Sequence, residues 1–206
     1  MARVSAAEAA KTREKLLDAA LEVFWEEGVA RPSLTKVAER VGMTRGAIYG
    51  HFRNKADLFG ALCDRHLMPA DLLAQHRAQA DEPLDTLVDW VTSVLRGARE
   101  DRAFGMLIDI LYLGTEAVRG DDVRDRLLKD SSRAREHERA LLQMAVDQGR
   151  VPADLDVDLA TVAVHSLVSG QLRLFALDDD LDPEPMLERV GPLIRDMVRS
   201  EALRRH

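Results

Sequence analysis

The sequence predicts an all-α protein of about nine helices, in which an N-terminal three-helix helix-turn-helix domain precedes a helical body. Apolar residues recur at helical spacing along most of the 206 residues. Aromatic residues make up only 4 %, whereas alanine, leucine and charged residues are abundant, and this composition favours helices over strands. No strand pattern or internal repeat interrupts the helical segments. We expect residues 1–55 to form the first domain and residues 56–206 the second.

The first predicted helix runs from Lys11 to Glu27, behind a frayed arm of residues 1–10. Gly28 follows it, and a glycine at this position can adopt the left-handed backbone that ends a helix. We expect this helix to support the two helices that follow, with Trp25 in the core. Its apolar face consists of Leu16, Leu17, Ala20, Leu21, Phe24 and Trp25.

Two short helices separated by a tight turn follow, as in a helix-turn-helix. Ser33 is a good N-cap for the first of them, and Gly42 ends it. Thr44 is the N-cap candidate for the second, which we expect over Arg45–Phe52. The inward face of the first is predicted to be Leu34, Val37, Ala38 and Val41, and that of the second Ala47, Ile48 and Phe52.

The second short helix carries small or hydrogen-bonding residues on the face that packing does not use. These residues are Thr44, Arg45, Gly46, Tyr49, Gly50 and His51. Such residues suit close approach to a DNA major groove, where base edges are distinguished by their donors and acceptors. Lys55 opens the next helix, where an ammonium beside a positive helix terminus favours a phosphate oxygen. The alternative is a pair of packing helices with an ordinary polar surface.

The distribution of charge favours DNA binding over that alternative. Residues 31–55 contain six bases and one acid, a net charge of +5, in a chain whose total is −7. An acidic body keeps most of the surface away from phosphates and leaves one basic face to meet them. Cys63 is the sole cysteine, which excludes an intramolecular disulfide and a cysteine-rich metal site. No metal ligand and no cofactor are predicted. No signal peptide is evident and no apolar stretch approaches the roughly 20 residues of a membrane span, so we expect a cytoplasmic location.

Five further helices are predicted in the body, after a fourth helix that begins near Lys55 and reaches about residue 80. Pro69 lies inside the fourth helix, where it predicts a bend or break close to Met68. Gly191 and Pro192 predict a kink in the last helix. The remaining five are expected over Leu84–Arg99, Ala103–Leu113, Asp122–Gln148, Asp156–Leu177 and Pro183–Leu203.

Residues 35–59, TKVAERVGMTRGAIYGHFRNKADLF, resemble the DNA-binding signature of TetR-type repressors. RGAIY followed by His51, Phe52 and Lys55 is similar to the AcrR-like branch, which represses multidrug efflux operons. The resemblance implies a ligand-responsive repressor that a small hydrophobic or cationic inducer releases from a palindromic double-stranded DNA operator. A regulator of a metabolic or catabolic operon that responds to an unrelated small molecule is the alternative. The predicted DNA-binding residues are Ser33, Thr35, Lys36, Thr44, Arg45, Gly46, Ala47, Tyr49, Gly50, His51 and Lys55.

The last two helices carry more apolar surface than a small domain needs. They either close the core of the body or pair with the same helices of a second copy, and the resemblance implies the second arrangement, a four-helix homodimer interface. Two recognition helices one DNA turn apart also require a two-fold dimer.

The resemblance further implies a ligand pocket within the body. Asp109 is the most distinctive candidate, because a carboxylate among Ile108, Ile110 and Leu111 is costly unless it is paired or faces a wet cavity. The alternative to a ligand contact is an ordinary salt bridge to an arginine such as Arg102 or Arg173. The predicted ligand-binding residues are His66, Trp90, Leu107, Asp109, Ile110, Glu116 and Gln171.

The sequence gives no support to an enzyme. It contains no glycine-rich phosphate loop, nucleophile elbow or His-Glu-x-x-His motif. A protein that merely compacts DNA is disfavoured by the acidic body, because such proteins neutralise phosphates along their whole surface.

Overall fold

The computed structural model describes residues 6–66, 68–78, 81–117, 121–178 and 180–205, with only the helical backbone described at 113–117 and 121–123. Across these residues the chain forms ten α-helices, a 3₁₀ turn at Glu201–Leu203 and no strand, which confirms the all-α prediction. The helices are α1 (Ala6–Glu27), α2 (Leu34–Arg40), α3 (Arg45–Tyr49), α4 (Lys55–Arg65), α5 (Pro69–Arg77), α6 (Pro83–Glu100), α7 (Arg102–Ala117), α8 (Asp121–Asp147), α9 (Val157–Leu177) and α10 (Glu184–Met197).

The helix predicted from Lys55 to residue 80 is in fact two helices. α4 ends at Arg65, and α5 begins at Pro69, so that the proline occupies the first turn of α5. Proline is tolerated there because a residue of the first turn has no intrahelical use for its N–H. The break predicted near Met68 is therefore confirmed, and it raises the count from nine to ten. Residues 79 and 80, where the predicted helix ended, lie outside the described residues.

Four other predicted boundaries were wrong. α7 extends to Ala117, four residues beyond its predicted end at Leu113. α1 begins at Ala6, so the predicted frayed arm is helical from that residue on, and residues 1–5 lie outside the described residues. α3 ends at Tyr49, three residues before Phe52, because the chain turns at Gly50 to bury the Phe52 ring. α10 ends at Met197 instead of Leu203, because Ser200 accepts from the Ala202 N–H and starts a separate 3₁₀ turn.

The chain divides into two compact units. The first contains the described parts of residues 1–66 and 106–126, and the second those of residues 67–105 and 127–206. In the first unit the rings of Phe24 and Phe59 meet edge to face with centroids 6.2 Å apart. In the second unit, the fully buried Trp90 donates from its indole N–H to the Pro69 carbonyl at 2.8 Å. Each unit therefore has a core of its own.

In the second unit, α10 packs closely against α6 at Gly191. A Cβ added to Gly191 would lie only 2.9 Å from Cγ1 of Val88. A valine side chain is short and stiff at χ1, so it cannot move aside without strain. Packing against Val88 therefore requires glycine at position 191, and the kink at Gly191 and Pro192 stays a prediction.

We expect Gly191→Ala to lower the free energy of unfolding by about 1–3 kcal/mol, the usual cost of overpacking a core. Urea unfolding followed by circular dichroism measures the change. Gly60→Ala in α4 is the matched control, because nothing lies within 4 Å of a Cβ there and alanine should stabilise that helix by about 0.5–1 kcal/mol. Val88→Ala should restore most of the loss in the double variant, and equal stability of both glycine variants would contradict the prediction.

Candidate nucleic-acid interface and effector residues

α2 and α3 form the predicted helix-turn-helix within the first unit. Ser33 accepts a hydrogen bond from the Lys36 N–H at 3.3 Å, which caps α2 as expected. Gly42 has a φ of +69°, the left-handed conformation that ends α2 and begins the turn. Thr44 occupies the N-cap position of α3, but within the described residues its hydroxyl makes no capping hydrogen bond. Ile48 is completely buried and fastens α3 to the unit.

The outer face of α3 presents most of the predicted base-reading residues to solvent. Its exposed residues are Thr44, Arg45, Gly46, Tyr49 and Gly50, while Ala47 and His51 are half-buried. The Arg45 guanidinium lies 5.9 Å from the centroid of the Tyr49 ring, and 48 % of Tyr49 is exposed. A cation near the face of an aromatic ring is attracted to it by about 0.5–1 kcal/mol at an exposed site, and it keeps its N–H donors. These two side chains therefore form a cation–aromatic pair at the surface.

The other predicted DNA-binding residues, at the start of α2 and α4, make more contacts within the protein than those of α3. Ser33 and Lys36 are exposed and Thr35 is half-buried. The Lys36 ammonium lies 2.5 Å from Oε1 of Glu27 at the end of α1. Lys55, at the first position of α4, donates to the Ala30 carbonyl at 2.6 Å. This hydrogen bond ties the start of α4 to the segment between α1 and α2.

The basic surface is smaller than the count of +5 indicated. Glu22 and Glu26 of α1 both pair with Arg40, whose hydrogen bond lowers the pKa of the Glu26 carboxyl. The hydrogen bond from the Arg53 backbone N–H lowers the pKa of the Asp57 carboxyl, and the Arg53 guanidinium lowers it further. Both carboxylates are therefore ionised at neutral pH and neutralise their partners.

Two arginines of this region escape such neutralisation. Among the described residues, Arg31 and Arg45 form no ion pair with an acidic side chain. Glu22, Glu26 and Glu27, near the end of α1, were the available signal in the sequence that Lys36 and Arg40 have partners.

The predicted ligand-binding residues are divided between the units. His66, Leu107, Asp109 and Ile110 belong to the first unit, whereas Trp90 and Gln171 belong to the second. The Glu116 side chain lies outside the described residues.

Their surroundings differ in kind. Leu107, Ile110 and Trp90 are buried, and His66 has Nε2 3.5 Å from a guanidinium nitrogen of Arg65. Gln171 lines an open apolar groove between α9 and α10, beside Leu174 and Leu193. These residues stay predictions as a ligand site.

Asp109 has a partner that neither of the two sequence interpretations named. Its Oδ2 accepts a hydrogen bond of 2.9 Å from Nε1 of Trp25, near the end of α1. Trp25 was predicted to lie in the core, but 48 % of it is exposed. An indole combines an apolar body with one N–H that seeks a partner, so a partly exposed tryptophan at a helix end is a recognisable signal. Sequence reasoning named Trp25 as a core residue and missed its contact with Asp109.

Comparison with known proteins identifies the family. Residues 16–62 match the bacterial regulatory proteins of the tetR family. Over 100 % of both chains, the protein is 35 % identical to ArpR, a probable HTH-type transcriptional regulator of Pseudomonas putida. The chain belongs to the TetR family.

Solved TetR-family structures agree with this assignment. MexZ, described as a key repressor responsible for antibiotic resistance in Pseudomonas aeruginosa, superimposes with a TM-score of 0.79 at 30 % identity, over 95 % of this chain and 99 % of MexZ. SmeT, the repressor of a multidrug efflux pump of Stenotrophomonas maltophilia, was solved with triclosan. It gives a TM-score of 0.78 at 30 % identity, over 91 % and 90 % of the two chains. The predicted resemblance to efflux repressors is confirmed, and the chain is a DNA-binding transcriptional regulator and not an enzyme.

Proposed function

We propose that this TetR-family protein represses a multidrug efflux operon by binding a palindromic operator with α3 in the major groove. The exposed pair of Arg45 and Tyr49, on a helix anchored by buried Ile48, is the observation that carries this proposal. The choice of operon is supported by SmeT, which represses a multidrug efflux pump, and by the antibiotic resistance attributed to MexZ. We assign residues 1–55 to DNA binding and residues 56–206 to ligand binding and dimerisation. We also propose a cytoplasmic location.

The second copy required by a palindrome is proposed to pair through α9 and α10. The exposed face of α9 has large apolar residues at both ends and small residues in the middle, which permits close crossing by another helix. Leu193 extends this apolar surface onto α10. We call the exposed set the α9 face, and it consists of Leu159, Val162, Ser166, Gly170, Leu174 and Leu177.

α9 also passes a simple test for a membrane span. By length and composition alone, and among the described residues, it is the one helix sufficiently apolar to cross a bilayer. This corrects the expectation that no apolar stretch approaches that length. However, buried Val164, Val168 and Leu172 occupy its other face, where α9 packs on α6. Because only one face of α9 is exposed, contact with a second copy of the protein explains its apolar residues better than insertion into lipid does.

We propose a small hydrophobic or cationic inducer that binds the body and releases the operator. The complex of SmeT with triclosan supports a hydrophobic ligand. Within the first unit, the buried Leu107 and Ile110 supply apolar surface of the kind that such ligands contact. An effector releases DNA only to the extent that it prefers the non-binding state.

Fluorescence anisotropy with DNA from upstream of the protein's own gene tests the proposal, at two salt concentrations and with excess unrelated DNA. We expect a preference of about 4–10 kcal/mol for one palindromic site. Triclosan and a panel of cationic drugs are then added to the complex. Release by at least one of them supports the efflux repressor, whereas specific binding that no compound reverses would leave a regulator but reject drug control.

A further inference from the structure

The hydrogen bond between Trp25 and Asp109 joins parts of the chain that are 84 residues apart. Trp25 lies near the end of α1, and Asp109 lies on α7 between buried Ile108 and Ile110. The donor–acceptor distance of 2.9 Å is the usual length of an N–H···O hydrogen bond, and the carboxylate acceptor makes this solvent-exposed bond stronger than one between two neutral groups. Nothing in the DNA-binding chemistry of α2 and α3 requires it.

The position of Trp25 within α1 gives the contact its importance. The next two residues, Glu26 and Glu27, form the ion pairs with Arg40 and Lys36 of α2. A displacement of the end of α1 therefore acts on α2, and α2 is joined to the recognition helix by a two-residue turn and its flanking caps. The path from Asp109 to α3 consists of adjacent contacts within one unit.

A second contact reinforces the same arrangement. Arg126, in the first turns of α8, lies 2.7 Å from Oδ1 of Asp64 in α4. Consistently, residues 106–126 belong to the same compact unit as the helix-turn-helix, although α7 starts in the other unit. α7 is thus a continuous helix whose two ends belong to different units.

We propose that the Trp25–Asp109 hydrogen bond is the positioning contact through which α7 orients the DNA-binding helices and couples effector binding to operator binding. A fixed orientation lowers the ordering cost of placing two recognition helices on one palindrome. The contact therefore strengthens operator binding, and an effector that displaces α7 acts by breaking it. This inference rests on the proposed release of the operator by a ligand, and it gives Asp109 a role other than ligand contact.

A double-mutant cycle in operator affinity tests the link without any effector. Trp25→Phe keeps an aromatic ring but removes the donor, and Asp109→Leu keeps the size but removes the acceptor. We expect each to weaken operator binding by roughly 5–150-fold, the usual range of coupling between sites. The loss in the double variant should be smaller than the sum of the two single losses, because both changes remove the Trp25–Asp109 hydrogen bond. Asp109→Asn, which retains an amide oxygen for the indole, should keep most of the affinity.

Triclosan and the cationic drugs then serve as effector probes, and the ratio of operator affinities without and with probe is compared between variants. A merely structural role would lower stability but leave this ratio unchanged, so melting temperatures are measured alongside. We expect the ratio to fall towards one in Trp25→Phe. If wild type is released and Trp25→Phe shows the same affinity and ratio, the inference is overturned while the proposed function stands. If no probe releases wild type, drug control fails, and additive effects in the cycle would separately overturn the link.

Discussion

We expect Arg45→Ala to weaken operator binding by about 2–6 kcal/mol, roughly thirty-fold or more. A side chain that reads a base edge contributes about 1–3 kcal/mol, and a two-fold dimer presents it twice. Arg45 is exposed, and in the described part of the chain it has no acidic partner, so its truncation leaves no buried charge and no gap in the core. Anisotropy with the identified operator measures the loss, which should be accompanied by relaxed specificity at one base pair of each half-site.

Tyr49→Ala should have a similar effect, because the ring supports the Arg45 guanidinium and is itself at the surface. Leu128→Ala is the matched control, since Leu128 is 52 % exposed on α8, away from α3 and α9 in the chain. The Arg45→Ala and Tyr49→Ala proteins should both remain dimers, as measured by light scattering. Normal operator binding by Arg45→Ala and Tyr49→Ala together would show that α3 does not read the DNA. Lys55→Ala is a less specific probe, because it also removes the hydrogen bond to Ala30.

Gly170→Glu is expected to dissociate the dimer. A Cβ at Gly170 meets nothing within 4 Å in its own protomer, so the substitution should leave the fold of one copy intact. In the proposed two-fold pairing the small centre of the α9 face meets its own copy. Two carboxylates would then face each other in an apolar contact, and like charges so placed cost several kcal/mol. The dissociation constant should rise by more than about a hundred-fold.

Sedimentation or light scattering over a range of protein concentrations measures this change. Ala153→Glu is the control, because it adds the same charge at an exposed position outside the α9 face. The monomeric variant should also lose the preference for a palindrome, since one half-site gives only part of the binding energy. A Gly170→Glu protein that stays dimeric would place the interface elsewhere.

Features that depend on residues close in the chain could be predicted from sequence. The helix-turn-helix followed from the Ser33 cap, the turn at Gly42 and the apolar spacing around Ile48. The break before α5 followed from Pro69 alone. Each of these is decided by a cap, a backbone conformation or a missing N–H within a few residues, so little else in the fold can override it.

Features that depend on partners distant in the chain were decided only by the tertiary structure. The charge of the helix-turn-helix was overestimated because Glu22 and Glu26, which neutralise Arg40, belong to another helix. Trp25 was placed in the core because it follows the apolar spacing of α1. That spacing shows which side of the helix a residue lies on, but it does not show how fully other elements cover the residue. Its bond to Asp109 spans 84 residues. The sequence by itself therefore determined the helices and the family. Tertiary packing decided which charges remain available and which contact ties α7 to the DNA-binding helices. The reason is that a side chain's partner depends on distance in space and not on distance along the chain.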